Sequence, residues 1–178
     1  MIASPLLSAN LWWRSTSRQM QRNGSTLTAT ATNRNTVVEA YWQNNQHDDT
    51  LQTEIRQQAA SLQEFLVQHR RHLHQIPEVM YQEAETSRHI QTVLDDLGVP
   101  FTTGWAKNIH ENVFPGPGGY GVVADIGTGQ EPCVLLRADM DALPIHEETA
   151  VDFASTKTNR MHACGHDGHT TMLLGAGE

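Results

Sequence analysis

Nine residues, Met161-His162-Ala163-Cys164-Gly165-His166-Asp167-Gly168-His169, hold three histidines, a cysteine and an aspartate between two glycines. Cys164 and His166 are two apart, so in an extended segment both side chains point to the same side. A thiolate and an imidazole converging in this way suit a borderline-soft divalent cation such as zinc. A second geometry stays open, because His162, His166 and His169, four and three apart, would share one helix face. Gly165 and Gly168 weigh against it, each costing about 1 kcal/mol inside a helix. The expected arrangement is a loop that enters a helix at Asp167, with the metal held just before that helix.

A second pair of candidates precedes it. Asp139 and Asp141 are again two apart, in a loop that leaves the apolar run Cys133-Val134-Leu135-Leu136. Side-by-side carboxylates repel unless a cation or a basic group lies between them. In the alternative, one aspartate simply caps the next segment. With a Cys-x-His loop two dozen residues downstream, one aspartate is expected to orient a metal-bound histidine and fix its tautomer.

These side chains need a scaffold. Leu51, Ile55, Ala59, Leu62, Leu66 and Leu73 recur at helical spacing, and Pro77 stops the pattern near Gln75. That spacing predicts one amphipathic helix from about Leu51, with His69, His72 and His74 solvated or capping. Ile90, Val93, Leu94 and Leu97 predict a second helix, ended by Gly98. Val99–Thr102 reads as a short strand, and Pro115 to Gly119 mark a loop. The runs 121–126 and 133–137 read as strands, joined by a loop long enough for an antiparallel hairpin. The second is apolar enough to be buried on both faces. Residues 170–176 start a further helix, which Asp167 or Thr170 can cap.

Bulk properties narrow the function classes. At 178 residues the chain has the length of one ordinary domain. Its 38% apolar content includes no run long enough to span a bilayer. Its two cysteines, Cys133 and Cys164, make no disulfide framework, and a metal-ligating Cys164 would leave them unlinked. The net charge is −8, unevenly spread: residues 1–38 hold Arg14, Arg18, Arg22 and Arg34 and no acid. The remainder has eight basic residues against all 20 acidic ones. Such an acidic body argues against nucleic acid as a partner. The Ser-, Thr-, Asn- and Arg-rich start has the composition of an organelle transit peptide, with a disordered tail as the alternative. The expected division is a disordered or targeting segment over 1–48 and a folded region over 49–178. The expected compartment is mitochondrion or plastid, or else the cytoplasm.

Four stretches resemble the dinuclear metallohydrolases related to aminoacylase and carboxypeptidase G, in the branch of the auxin-conjugate and hippurate hydrolases. They are Arg71-His72-Leu73-His74-Gln75-Ile76-Pro77-Glu78, then Glu85-Thr86-Ser87 through Leu97-Gly98-Val99-Pro100, then Leu135 to Ile145 (LLRADMDALPI) and Met161 to Ala176 (MHACGHDGHTTMLLGA). The likeness covers about residues 65–176, and the last two motifs are the specific ones.

The resemblance implies an α/β fold: the first half of a metallopeptidase catalytic domain, a mixed sheet with covering helices. It implies two divalent ions, manganese or zinc, sharing a water that attacks the amide carbon of an N-acyl amino acid. By resemblance Cys164 and His166 are metal ligands. Asp141 matches the aspartate of a His-x-Asp motif in related branches, whose histidine position is Asp139 here. The general-base glutamate and the remaining ligands of such enzymes fall beyond Glu178 and match no residue of this chain, nor does the smaller dimerisation domain. Two expectations follow: the N-terminal part of an amidohydrolase acting on a small molecule, homodimeric in its full-length form, or an inactive remnant that binds metal weakly or serves as an interaction partner. Asn159-Arg160 before the Met-His pair and the long stretch Ile109 to Gly119 depart from the family pattern, and neither touches the metal loop.

Overall fold

The structure, a computed structural model, describes residues 10–16 and 49–178. The transit-peptide reading rests mainly on residues outside this set. One part of that segment is described and is not irregular: Asn10–Thr16 forms strand β1. The described residues fall into two units, and residues 19–63 belong to one of them. In that unit helix α1 spans Asp49–Ser61.

The other unit holds β1 and, from Glu64 on, helix α2, Gln63–Gln75. The single helix expected from Leu51 is therefore two, parted at Leu62, a break that an unbroken apolar spacing does not reveal. Pro77 ends α2 as expected, since the residue before a proline is steered out of helical geometry. Helix α3, Ala84–Asp96, follows. Its first turn is fixed by Glu78, whose Oε2 accepts from the Thr86 amide at 2.8 Å and the Thr86 hydroxyl at 3.0 Å. Its end is a Schellman motif. Val99 N–H donates to Leu94 O and Gly98 N–H to Asp95 O, with Gly98 at φ +67°.

Strands β2 (Phe101–Lys107), β3 (Gly118–Gly127) and β4 (Cys133–Asp139) complete a mixed sheet of order β2-β3-β1-β4. β3 and β4 do not form the expected hairpin. β1 lies between them, parallel to β3 and antiparallel to β4. Nor is β4 buried on both faces: Val134 and Leu135 are each 55% exposed, because β4 ends the sheet's strand order. Only its last turn inward, at Ala138, joins the core with Met140 just beyond.

That core packs Ile90, Val93 and Leu94 of α3 against Val122 and Ala124 of β3 and against Leu173 and Leu174. The last two lie on helix α4, His166–Gly175. This is the mixed α/β architecture with helices on the sheet that the sequence implied, and its layers deliver the ends of β4 and α4 to one place.

The long loop before β3 is pinned by Asn108. Its Nδ2 donates to Phe114 O and Gly116 O, and its Oδ1 accepts from the His110 amide. The loop closes on Gly118 at φ +64°, where a Cβ would lie 2.6 Å from Ala106 O and from Asn108 N. Both neighbours are backbone and cannot swing aside. Gly118→Ala is expected to cost roughly 2–4 kcal/mol, from αL strain plus the backbone shift. A lowered urea midpoint at unchanged slope checks it.

Candidate metal centre

Two backbone ties and one side-chain tie bring the chemically interesting loops together. Ala142 N–H donates to Glu78 O at 2.7 Å, tying the Asp139–Pro144 loop to the turn after α2. Leu143 and Met161 exchange both backbone hydrogen bonds at 3.0 Å, fastening that loop to the start of the Cys-His segment. Thr170 Oγ1 donates to Asp139 O at 2.9 Å, tying it to α4.

Within this frame His166 meets both aspartates. Its Nδ1 lies 2.8 Å from Asp141 O and 3.1 Å from Asp141 Oδ1. Its Nε2 is 3.7 Å from Asp139 Oδ2, while Asp139 Oδ1 pairs with Arg137 at 2.7 Å. A ring whose Nδ1–H is taken by a carbonyl and a carboxylate keeps the lone pair on Nε2, the tautomer that ligation through Nε2 requires. Arg137 supplies the basic group that lets Asp139 sit beside Asp141.

Cys164 is exposed and unlinked, as is Cys133. One glycine separates it from His166. Gly165 adopts φ +90° as the residue capping α4, so the chain turns sharply between the two expected ligands. The helix begins at His166, one residue earlier than expected. The helical alternative for the histidines is not formed, since His162 lies before that turn. His169 is on α4, its ring centroid 5.6 Å from that of His166. Among the described residues no three His, Cys, Asp or Glu side chains already surround one point. The donor set nonetheless suits a metal: an accessible thiol and an oriented imidazole flank one glycine.

Behind the loop lies a network that the sequence reading missed. His74 is not solvated; it is buried at 4% exposure. Its Nδ1 lies 2.7 Å from Asp167 Oδ2 and its Nε2 3.2 Å from Glu147 Oε1. Arg70 Nε adds a 3.0 Å contact to Asp167, and the Arg70 and Arg71 guanidinium groups lie over the Phe153 ring. Burial alone would raise the Glu147 carboxyl. Hydrogen bonds from the Thr149 hydroxyl, the Ser155 amide and the His74 ring hold it below the usual carboxylate range instead. His162 is buried too, and burial pushes its pKa down to about 4. Neither of its ring nitrogens has a hydrogen-bond partner among the described residues. The available signal was spacing: Arg70 and His74 follow Leu66 by four and eight residues, on the helix stripe that faces inward.

Comparison with known proteins agrees with this architecture. The model of peptidase family M20/M25/M40 matches residues 135–178. A putative amidohydrolase of Bacillus subtilis, YhaA, is 47% identical over 126 residues, covering 70% of this chain and 29% of that protein. The IAA-amino acid hydrolase ILR1-like 5 of Arabidopsis thaliana is 45% identical over 113 residues, 64% of this chain and 23% of its own length. Among solved structures, the Bacillus subtilis YXEP protein, described as a dinuclear metal-binding peptidase of the M20 family, superposes with a TM-score of 0.50. It is 30% identical and covers 65% of this chain and 29% of its own. A putative aminohydrolase from methicillin-resistant Staphylococcus aureus gives 0.54 at 34% identity, covering 69% and 30%. The chain thus spans roughly a quarter to a third of the length of these relatives.

Proposed function

We propose that this chain is part of a member of peptidase family M20/M25/M40 and carries part of the metal centre of an amidohydrolase that cleaves N-acyl amino acids. The observation that carries the proposal is His166, held at Nδ1 by Asp141 with Nε2 3.7 Å from Asp139 Oδ2, one glycine after Cys164 in the chain.

Cys164 and His166 are the residues that would hold metal, with Asp141 orienting the imidazole and Asp139 beside it. A pair of divalent ions, manganese or zinc, would supply Lewis acidity to polarise an amide carbonyl and to acidify water. The protein's own part is positional. Asp141 fixes the His166 tautomer, Arg137 offsets the charge of Asp139, and Asp167 anchors the first turn of α4 from behind. A small N-acyl amino acid as substrate draws support from the hydrolase relatives, and an auxin conjugate draws it from the Arabidopsis protein. No helix among the described residues is long and apolar enough to cross a membrane.

Two arms test the reading. The 178-residue chain, given manganese or zinc, is expected to hydrolyse N-benzoylglycine or indole-3-acetyl-alanine no faster than the metal-only blank, because two ligands do not close a catalytic site. Residues 65–176 exchanged into the Arabidopsis hydrolase are expected to retain both its metal content and its turnover. A folded chimera that retains the metals yet turns over nothing would sink the assignment.

A further inference from the structure

On the other side of α2 from Arg70 and His74, three imidazoles meet. His69 and His72 lie one turn apart on α2, and His89 comes from α3. His69 Nδ1 and His89 Nε2 are 3.1 Å apart, and the His72 ring centroid is 4.2 Å from that of His89. Phe65 packs edge-on against His69 at 4.3 Å. The motif chemistry above uses none of these rings.

Two imidazole nitrogens bound to one tetrahedral ion at ordinary bond lengths stand about 3.3 Å apart. The His69–His89 separation is close to that edge. Without a cation the two neutral rings share one N–H, so for both lone pairs to face a common ion one ring changes tautomer and the two rings tilt off their shared axis. Burial pushes His89 down to about 4 and also lowers His69, which keeps both rings unprotonated and able to donate. His72 acts on both unfavourably when charged, while the carboxylates of Glu178 and Asp96 act on His69 in the sense that welcomes positive charge.

We propose that His69 and His89 form a further site for a borderline divalent cation such as zinc, nickel or copper(II), clipping α2 to α3. No third donor among the described residues already completes the shell, so water fills it, with His72 flanking the entry. A clip here braces the helix whose opposite side holds Asp167.

The experiment uses the whole chain carrying Cys164→Ala and His166→Ala, which removes the loop proposed above as a competing site. Nickel(II) is titrated in with equilibrium dialysis, and histidine ring signals are followed by NMR. One equivalent is expected, with the His69 and His89 signals broadened first. His89→Gln is expected to weaken it about 100-fold, the low end of what linking two donors gains. His69→Gln should do the same, and circular dichroism verifies that each variant folds. If His89→Gln does not fold, the His69→Gln chain and the broadening pattern decide. Nickel affinity untouched by the folded variants, or first broadening at His110, His146 or His169, would overturn the proposal.

Discussion

Asp167→Ala is expected to lower the stability of the chain by about 3–5 kcal/mol, the range for breaking a buried ion pair from one side. Asp167 is 1% exposed and receives three contacts: His74 Nδ1 at 2.7 Å, Gly168 N–H at 2.9 Å and Arg70 Nε at 3.0 Å. Truncation leaves the buried His74 ring facing Glu147 alone and removes the hydrogen bond in the first turn of α4. Arg70 is 40% exposed and can turn to water, so most of the cost falls on His74. Asp167→Asn keeps the shape and an acceptor and should cost clearly less. Urea unfolding of the three chains measures this, and a change in midpoint without a change in slope identifies a stability effect. Against a typical domain stability of about 5–15 kcal/mol the loss is large. An Asp167→Ala chain as stable as its parent would remove the network from the account.

The second large effect concerns metal. Cys164→Ala is expected to weaken zinc retention at least about 100-fold, since a donor linked to His166 through one glycine gains that much from proximity. Asp141→Asn is expected to weaken it about 10–100-fold, the range for losing the partner that orients a ligating histidine. Asp141 O still holds Nδ1 in that variant, which places the expectation at the lower end. Both are read as metal content after dialysis in a His89→Gln chain, so that the α2–α3 histidines do not contribute. Equal zinc content in the Cys164→Ala chain and its parent would remove the thiolate from the ligand set.

Local signals in the sequence carried far. Pro77 and Gly98 ended helices where backbone sterics said they would, and the spacing of Ile90, Val93, Leu94 and Leu97 found the face that α3 buries. The two-residue spacing of Asp139 and Asp141 anticipated a shared surface, and His166 does meet both. What local spacing could not carry was pairing between distant segments. β1 lies more than 100 residues from the strands it separates, so runs 121–126 and 133–137 looked like neighbours. The apolar β4 looked central because composition does not report where a strand falls in the sheet order. His74 looked solvated for a related reason. Its polarity suggested the surface, whereas its partner Asp167 is 93 residues away and makes burial tolerable.

Cobalt(II) substitution tests the central claim most directly, because a thiolate bound to cobalt gives a charge-transfer absorption in the near ultraviolet that oxygen and nitrogen ligands do not. The account predicts that band in the cobalt-loaded chain, its persistence in Cys133→Ser, and its loss in Cys164→Ser and weakening in His166→Gln. Cobalt bound with no such band, or a band that survives Cys164→Ser, would contradict it.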